Sequence, residues 1–210
     1  MNEVNAAILI SGFGSNLKNI INSNKKNEIN INIVCVISDN PNANGLNIAK
    51  NENIETCILT NKKELNQELN KILGNRKIDL IILAGFMQII PSNIIKKYFG
   101  QILNIHPSLL PKYPGLNTHE KVLENNEQEH GATVHFVTEK LDDGPSIIQG
   151  KIKIKKTDTI EDLKNKVHEI EYKIYPIAIK WFQKGLIKQE DNFFIFNNQK
   201  MTQSIEHVLL

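Results

Sequence analysis

Short, nearly unbroken apolar runs alternate with segments of helical spacing through the first half of the chain. Ala6 to Ser11 is the first run, and it ends in a glycine-containing turn. Ile29 to Ser38, Glu55 to Leu59, Asp79 to Ala84 and Gln101 to Ile105 follow it. Between them, Asn16 to Ile21, Gly45 to Asn51, Lys62 to Leu73 and a stretch from Pro91 to about Phe99 read as helices. Leu65, Leu69 and Leu73 would form one apolar stripe on the third of these. Strands without polar alternation are buried on both faces. The order therefore predicts an α/β fold, with a mostly parallel central sheet and helices on both faces.

The second half changes character. Ala132 to Val137 shows some alternation, and Ser146 to Ile154 follows an Asp-Asp-Gly turn, so an antiparallel C-terminal part is expected. Thr159 to Lys184 has a long helical pattern with Asp158 or Thr159 as its cap, and Pro176 should kink or interrupt it. Phe193 to Phe196 followed by Asn197-Asn198 suggests a terminal hairpin. Leu110 to about Gln128 is long and polar, with Tyr113-Pro114-Gly115 as a hinge that could close over a ligand.

Composition narrows the classes. The chain has 210 residues, 40% hydrophobic and 23% charged, which suits one domain with a core that needs no disulfide or metal staple. A net charge of +2 gives no reason to expect a nucleic-acid or membrane partner. No apolar stretch approaches the ~20 residues of a membrane span, and no basic segment precedes the first apolar run. Cys35 and Cys57 lie in strand-like runs and read as buried, reduced thiols of a cytoplasmic protein.

Two segments carry chemistry. In Asn104-Ile105-His106-Pro107-Ser108-Leu109-Leu110-Pro111, Asn104 and His106 leave the same face of a strand end. An amide donor beside an imidazole, which titrates near neutrality, suits a carbonyl-transfer site. In Ser11-Gly12-Phe13-Gly14-Ser15-Asn16-Leu17, two glycines join the first strand to the first helix, and the amides of Gly14, Ser15 and Asn16 would face an anion. No Gly-Lys-Ser/Thr follows, and Leu17 replaces the third glycine of a dinucleotide fingerprint, so a small phosphate ester fits better than NAD or ATP. Taken alone, that loop reads equally well as a glycine turn capped by Ser15 or Asn16. Asp142-Asp143-Gly144, taken alone, is a good turn. His135 reads as a site-wall or core histidine, His119 and His168 as surface residues, and His207 as part of a mobile tail. His106, His130, His135 and Asp142 lack compact ligand spacing, so no metal is expected.

Taken together, Ser11-Gly12-x-Gly14-Ser15-Asn16-Leu17, Leu83-Ala84-Gly85-Phe86-Met87, Asn104 to Gly115, His135-Phe136-Val137 and Asp142-x-Gly144 occur in an order that resembles the phosphoribosylglycinamide formyltransferases. These are folate-dependent enzymes of purine synthesis. The resemblance runs from Ile8 to about Phe182. It implies a Rossmann-like formyltransferase fold in a single domain over 1–210, with a phosphate-binding half over 1–100 and a catalytic half over 101–210. It implies formyl transfer from 10-formyltetrahydrofolate to the amine of glycinamide ribonucleotide, without metal, by a monomer or weak homodimer. By matching positions, His106 would be the catalytic imidazole, Asn104 the oxyanion donor and Asp142 the carboxylate acting on His106. Gly14, Ser15 and Asn16 would hold the substrate phosphate, and Glu171 would reach the same substrate. Met87, Gln88, Ile89 and Ile90 would line the folate pocket, with Asn104 also at the folate and Lys63 near its glutamate end. Gln88 stands where a basic residue is common, and Asp143 adds a second carboxylate beside Asp142. A formyl-tetrahydrofolate hydrolase, a formyltransferase for another amine, and a non-catalytic phosphate-binding module are the competing readings.

Overall fold

The computed structural model describes residues 3–208, in two compact units divided in the chain between Asn104 and Ile105. In the first unit, β1 (Val4–Ile10) is the central strand, and its last five residues are buried. It pairs in parallel with β2 (Ile31–Ser38) on one side and β4 (Leu80–Leu83) on the other. β3 (Thr56–Ile58) adds to β2, and β5 (Ile102–His106) to β4, both in parallel. The strand order is β3-β2-β1-β4-β5. The direction of travel across the sheet therefore reverses between β1 and β4. Loops at the carboxyl ends of two such strands frame the crevice where open α/β sheets bind ligands.

Helices α1 (Ser15–Lys25) and α2 (Asn44–Asn51) pack together, as do α3 (Leu65–Gly74) and α4 (Ser92–Lys97). The Leu65, Leu69 and Leu73 stripe is buried, as its spacing predicts. A short 3-10 turn, Lys62–Glu64, precedes α3. Pro91 lies at the start of α4, as its N-cap in extended backbone. Cys35 is buried, but Cys57 is only half-buried, because β3 is the edge strand of this sheet.

In the second unit, β6 (Glu129–Phe136) and β7 (Ser146–Lys153) pair antiparallel, as expected. β11 (Ile205–Val208) adds to β7 in parallel and contains His207, so that histidine belongs to a strand and not to a mobile tail. The 24-residue helix α6 (Ile160–Gln183) packs on β6 and β7. Gly150 makes room for it, since a Cβ there would lie 2.3 Å from Ile170 Cγ2. Thr159 caps α6 in a reciprocal box with Asp162. Pro176 does not interrupt the helix. Losing one backbone donor is outweighed by burying Leu163, Val167, Ile170, Ile174, Ala178 and Ile179 along one face. The expected hairpin forms between β9 (Phe193–Phe196) and β10 (Gln199–Met201), and β8 (Ile187–Glu190) extends it to three strands. The polar stretch after Pro111 holds a short helix, α5 (Thr118–Glu124), that apolar spacing does not reveal.

Candidate active site

β5 ends in Asn104, Ile105 and His106, and its pleat sends the first and third side chains to one face. His106 is buried. Its Nε2 lies 2.9 Å from the Tyr113 carbonyl, which can only accept, so Nε2 carries a proton. Its Nδ1 lies 3.3 Å from Asp142 Oδ2. The Gly115 amide donates to that same carboxylate oxygen at 2.8 Å. Asp142 Oδ1 is 3.7 Å from His135 Nε2. Asp142 adopts a left-handed backbone, φ 51°, and so does Tyr113, φ 56°. Such strain in non-glycine residues persists where surrounding contacts over-determine it. Asp143 is exposed instead, 3.4 Å from Lys140. Asp142, not Asp143, therefore faces the imidazole.

His135 is buried, and its Nδ1 donates to the Phe136 carbonyl at 2.8 Å. Burial is the main force pushing its pKa down, against the opposing pull of Phe136 and Asp142. A second histidine pair flanks this group. His119 Nδ1 and His130 Nε2 are 2.9 Å apart, with rings edge to face. Burial lowers the pKa of both, and His130, also repelled by His119 and His106, falls to about 4. His119 is thus a half-buried partner of His130 rather than a surface residue, and half-buried His168 stacks on Tyr172. Sequence spacing gives no signal for the His119–His130 contact, which bridges α5 and β6. Glu171 is buried on α6, unlike a charge on a solvated helix face.

The first unit carries the loop after β1. Gly14 is the N-cap of α1 with φ 79°, and no side chain caps this helix end. The amides of Ser15 and Asn16 begin the helix, where the dipole favours an anion. The loop is held by backbone contact. Gly45 donates its amide to the Gly12 carbonyl at 3.1 Å, and Asn44 Nδ2 donates to the Phe13 carbonyl at 3.3 Å. Gly14 and Gly45 approach so closely that a Cβ on Gly14 would lie 2.6 Å from Gly45 Cα. Gly45, early in α2, is a supporting residue that motif reading misses.

The loop after β4 lies beside it. Ser11 donates its amide to the Gly85 carbonyl at 3.1 Å, and the Met87 amide donates to Ser11 Oγ at 2.8 Å. Met87 and Ile89 are exposed, whereas Ile90 is buried. Gln88 Nε2 donates to Asp39 Oδ2 at 2.7 Å, so its side chain is turned toward β2. Lys63 stands on the exposed 3-10 turn, where its amide donates to Asn61 Oδ1. The second loop thus joins the first at Met87 and, through Asp39, at Gln88. Lys63 has no hydrogen bond or ion pair with either among the described residues.

A family described as formyl transferase matches residues 4–179. The chain is 40% identical over 203 residues to a phosphoribosylglycinamide formyltransferase of Haemophilus influenzae, covering 94% of this chain and 96% of that protein. It is 40% identical over 192 residues to a trifunctional purine biosynthetic protein of Gallus gallus, covering 89% of this chain and 19% of that one. Among solved structures, a phosphoribosylglycinamide formyltransferase from Coxiella burnetii superposes with a TM-score of 0.91 at 38% identity, over 97% of this chain and 99% of that chain.

Proposed function

Because the chain belongs to the formyl transferase family, we propose that His106, Asn104 and Asp142 carry its chemistry, with 10-formyltetrahydrofolate as donor. Formylation of glycinamide ribonucleotide in purine biosynthesis is the activity, as in relatives aligned over nearly the whole of both chains. Formyl folate is the family's co-substrate. The observation that carries the assignment is the buried His106–Asp142 pair, 3.3 Å apart, at the end of the strand that also bears Asn104.

The amine nitrogen of the ribonucleotide attacks the formyl carbon. A C–N bond forms, and the carbonyl oxygen gains negative charge. The Asn104 side-chain amide donates to that oxyanion, and the Nε2–H of a protonated His106, exchanging the Tyr113 carbonyl for the oxyanion, adds a second donor. Asp142 Oδ2, 3.3 Å from Nδ1, holds the imidazole in its orientation. It also accepts, through water, the proton that leaves the amine. The bond to the folate nitrogen then breaks as that nitrogen takes a proton from His106. Net, one proton moves from the amine to the folate.

The amides of Gly14, Ser15 and Asn16 hold the substrate phosphate, and Glu171 serves the ribose-phosphate end. Met87 to Ile90 contact the folate, Ile90 through its backbone. Lys63 is assigned to the folate glutamate end on resemblance alone. Phosphate binding thus falls within 1–100 and catalysis within 101–210. Two free thiols suit a cytoplasmic location.

Steady-state kinetics of His106→Ala and Asp142→Asn test the roles. Turnover should fall by at least about 10²-fold, with folate affinity little changed. Near-normal turnover in both variants would remove the assignment.

A further inference from the structure

Asp39 follows the last residue of β2 and belongs to neither ligand loop, yet both loops end on its carboxylate. Ser11 Oγ donates to Oδ1 at 2.5 Å, and Gln88 Nε2 donates to Oδ2 at 2.7 Å. The Ser11 hydroxyl has one proton. Because the Met87 amide already donates to its oxygen at 2.8 Å, that proton is directed to Asp39 and is not available to a phosphate. Asn40 Nδ2 donates to the Ser11 carbonyl at 3.0 Å, and the Ser11 amide donates to Gly85. The start of the loop after β1, the end of β2 and the segment from Gly85 to Gln88 are therefore one hydrogen-bonded body. It sits at the point where the strand order reverses.

We propose that Asp39 is a positioning residue that couples the phosphate loop to the folate segment, so that filling one site tightens the other. This rests on the transferase reading of the two loops. Gln88 then meets the folate through its backbone while its side chain braces the two loops. A ligand that orders either loop orders its neighbour through Ser11 and Asp39, and the second ligand meets a loop already in place. Thermodynamic linkage requires the effect to be equal in both directions.

Calorimetric titration of glycinamide ribonucleotide, with and without saturating tetrahydrofolate, reads this coupling. Tetrahydrofolate carries no formyl group, so no turnover occurs. In the wild type, tetrahydrofolate should tighten ribonucleotide binding by about fivefold or more, and the reverse titration should give the same factor. In Asp39→Ala and in Gln88→Ala that factor should fall to near one. Asp39→Asn keeps one acceptor oxygen and should give an intermediate factor. General loss of stability, or loss of a direct Gln88 contact, alters each separate affinity but cancels from the ratio. A wild-type factor of one, or an unchanged factor in the half-exposed Gln88→Ala variant, would overturn the proposal. Failure of wild-type protein to bind the ribonucleotide at all would instead overturn the transferase reading, and the coupling with it.

Discussion

His106 Nδ1 stands 3.3 Å from Asp142 Oδ2, and Asp142 holds that position from a left-handed backbone, φ 51°. Asparagine tolerates that conformation as well as aspartate does. Asp142→Asn should therefore keep its thermal midpoint within about 2 °C of the wild type while losing turnover. Asp142→Val, with a β-branched side chain at positive φ, should lower the midpoint clearly. Differential scanning calorimetry separates the two outcomes. A destabilised Asp142→Asn would mean that the carboxylate acts through folding.

Gly14 and Gly12 differ although they flank one residue. A Cβ on Gly14 meets Gly45 Cα at 2.6 Å and φ is 79°, while a Cβ on Gly12 meets nothing within 4 Å. Gly14→Ala should lower the thermal midpoint and raise the KM for ribonucleotide by about tenfold or more, since a misplacement near 1 Å is costly. Gly12→Ala should leave the midpoint unchanged. Equal effects on stability would contradict the close backbone approach.

His130 makes stability depend on pH. Its pKa is about 4 in the folded protein, against roughly 6.5 in the unfolded chain. Between those values the unfolded chain binds the additional proton, so stability is full above pH 6.5 and declines as pH falls toward 4. The total loss is roughly 3 kcal/mol for this group. Denaturant titrations across that window should show the decline, and His130→Gln should flatten it. An identical slope in the variant would assign the loss elsewhere.

Tyr113 touches His106 through its carbonyl, and its own hydroxyl donates to Glu127 at 2.8 Å. Lys112 also reaches Glu127, at 2.9 Å, but from an exposed position. Exposed ion pairs contribute little. Tyr113→Phe and Glu127→Ala should each slow turnover several-fold, and Lys112→Ala much less. Turnover equally insensitive to all three would show that the Tyr113 carbonyl needs no such anchor.

The parallel half of the fold was legible because Ala6 to Ile10 and Leu80 to Leu83 are apolar without interruption, which only a sheet covered on both faces explains. Asn104, His106 and the glycine loop were legible because local order brings their side chains or amides together. α5 was not, since only Thr118 and Val122 are buried and seven residues carry no periodicity. The parallel pairing of β11 with β7 was hidden for a different reason, as the partners lie more than fifty residues apart. Asp39-Asn40-Pro41 has the composition of an ordinary turn, and the role of Asp39 is invisible in the sequence because its partners Ser11 and Gln88 are distant in the chain. Nonlocal polar contacts leave no periodic trace.

The most direct measurement supplies 10-formyltetrahydrofolate to the wild-type protein with and without glycinamide ribonucleotide. Formyl groups lost from the folate should appear on the ribonucleotide amine in equal amount, and the folate should stay intact when the ribonucleotide is withheld. Folate cleavage at the same rate in its absence, with formate as the product, would contradict the account.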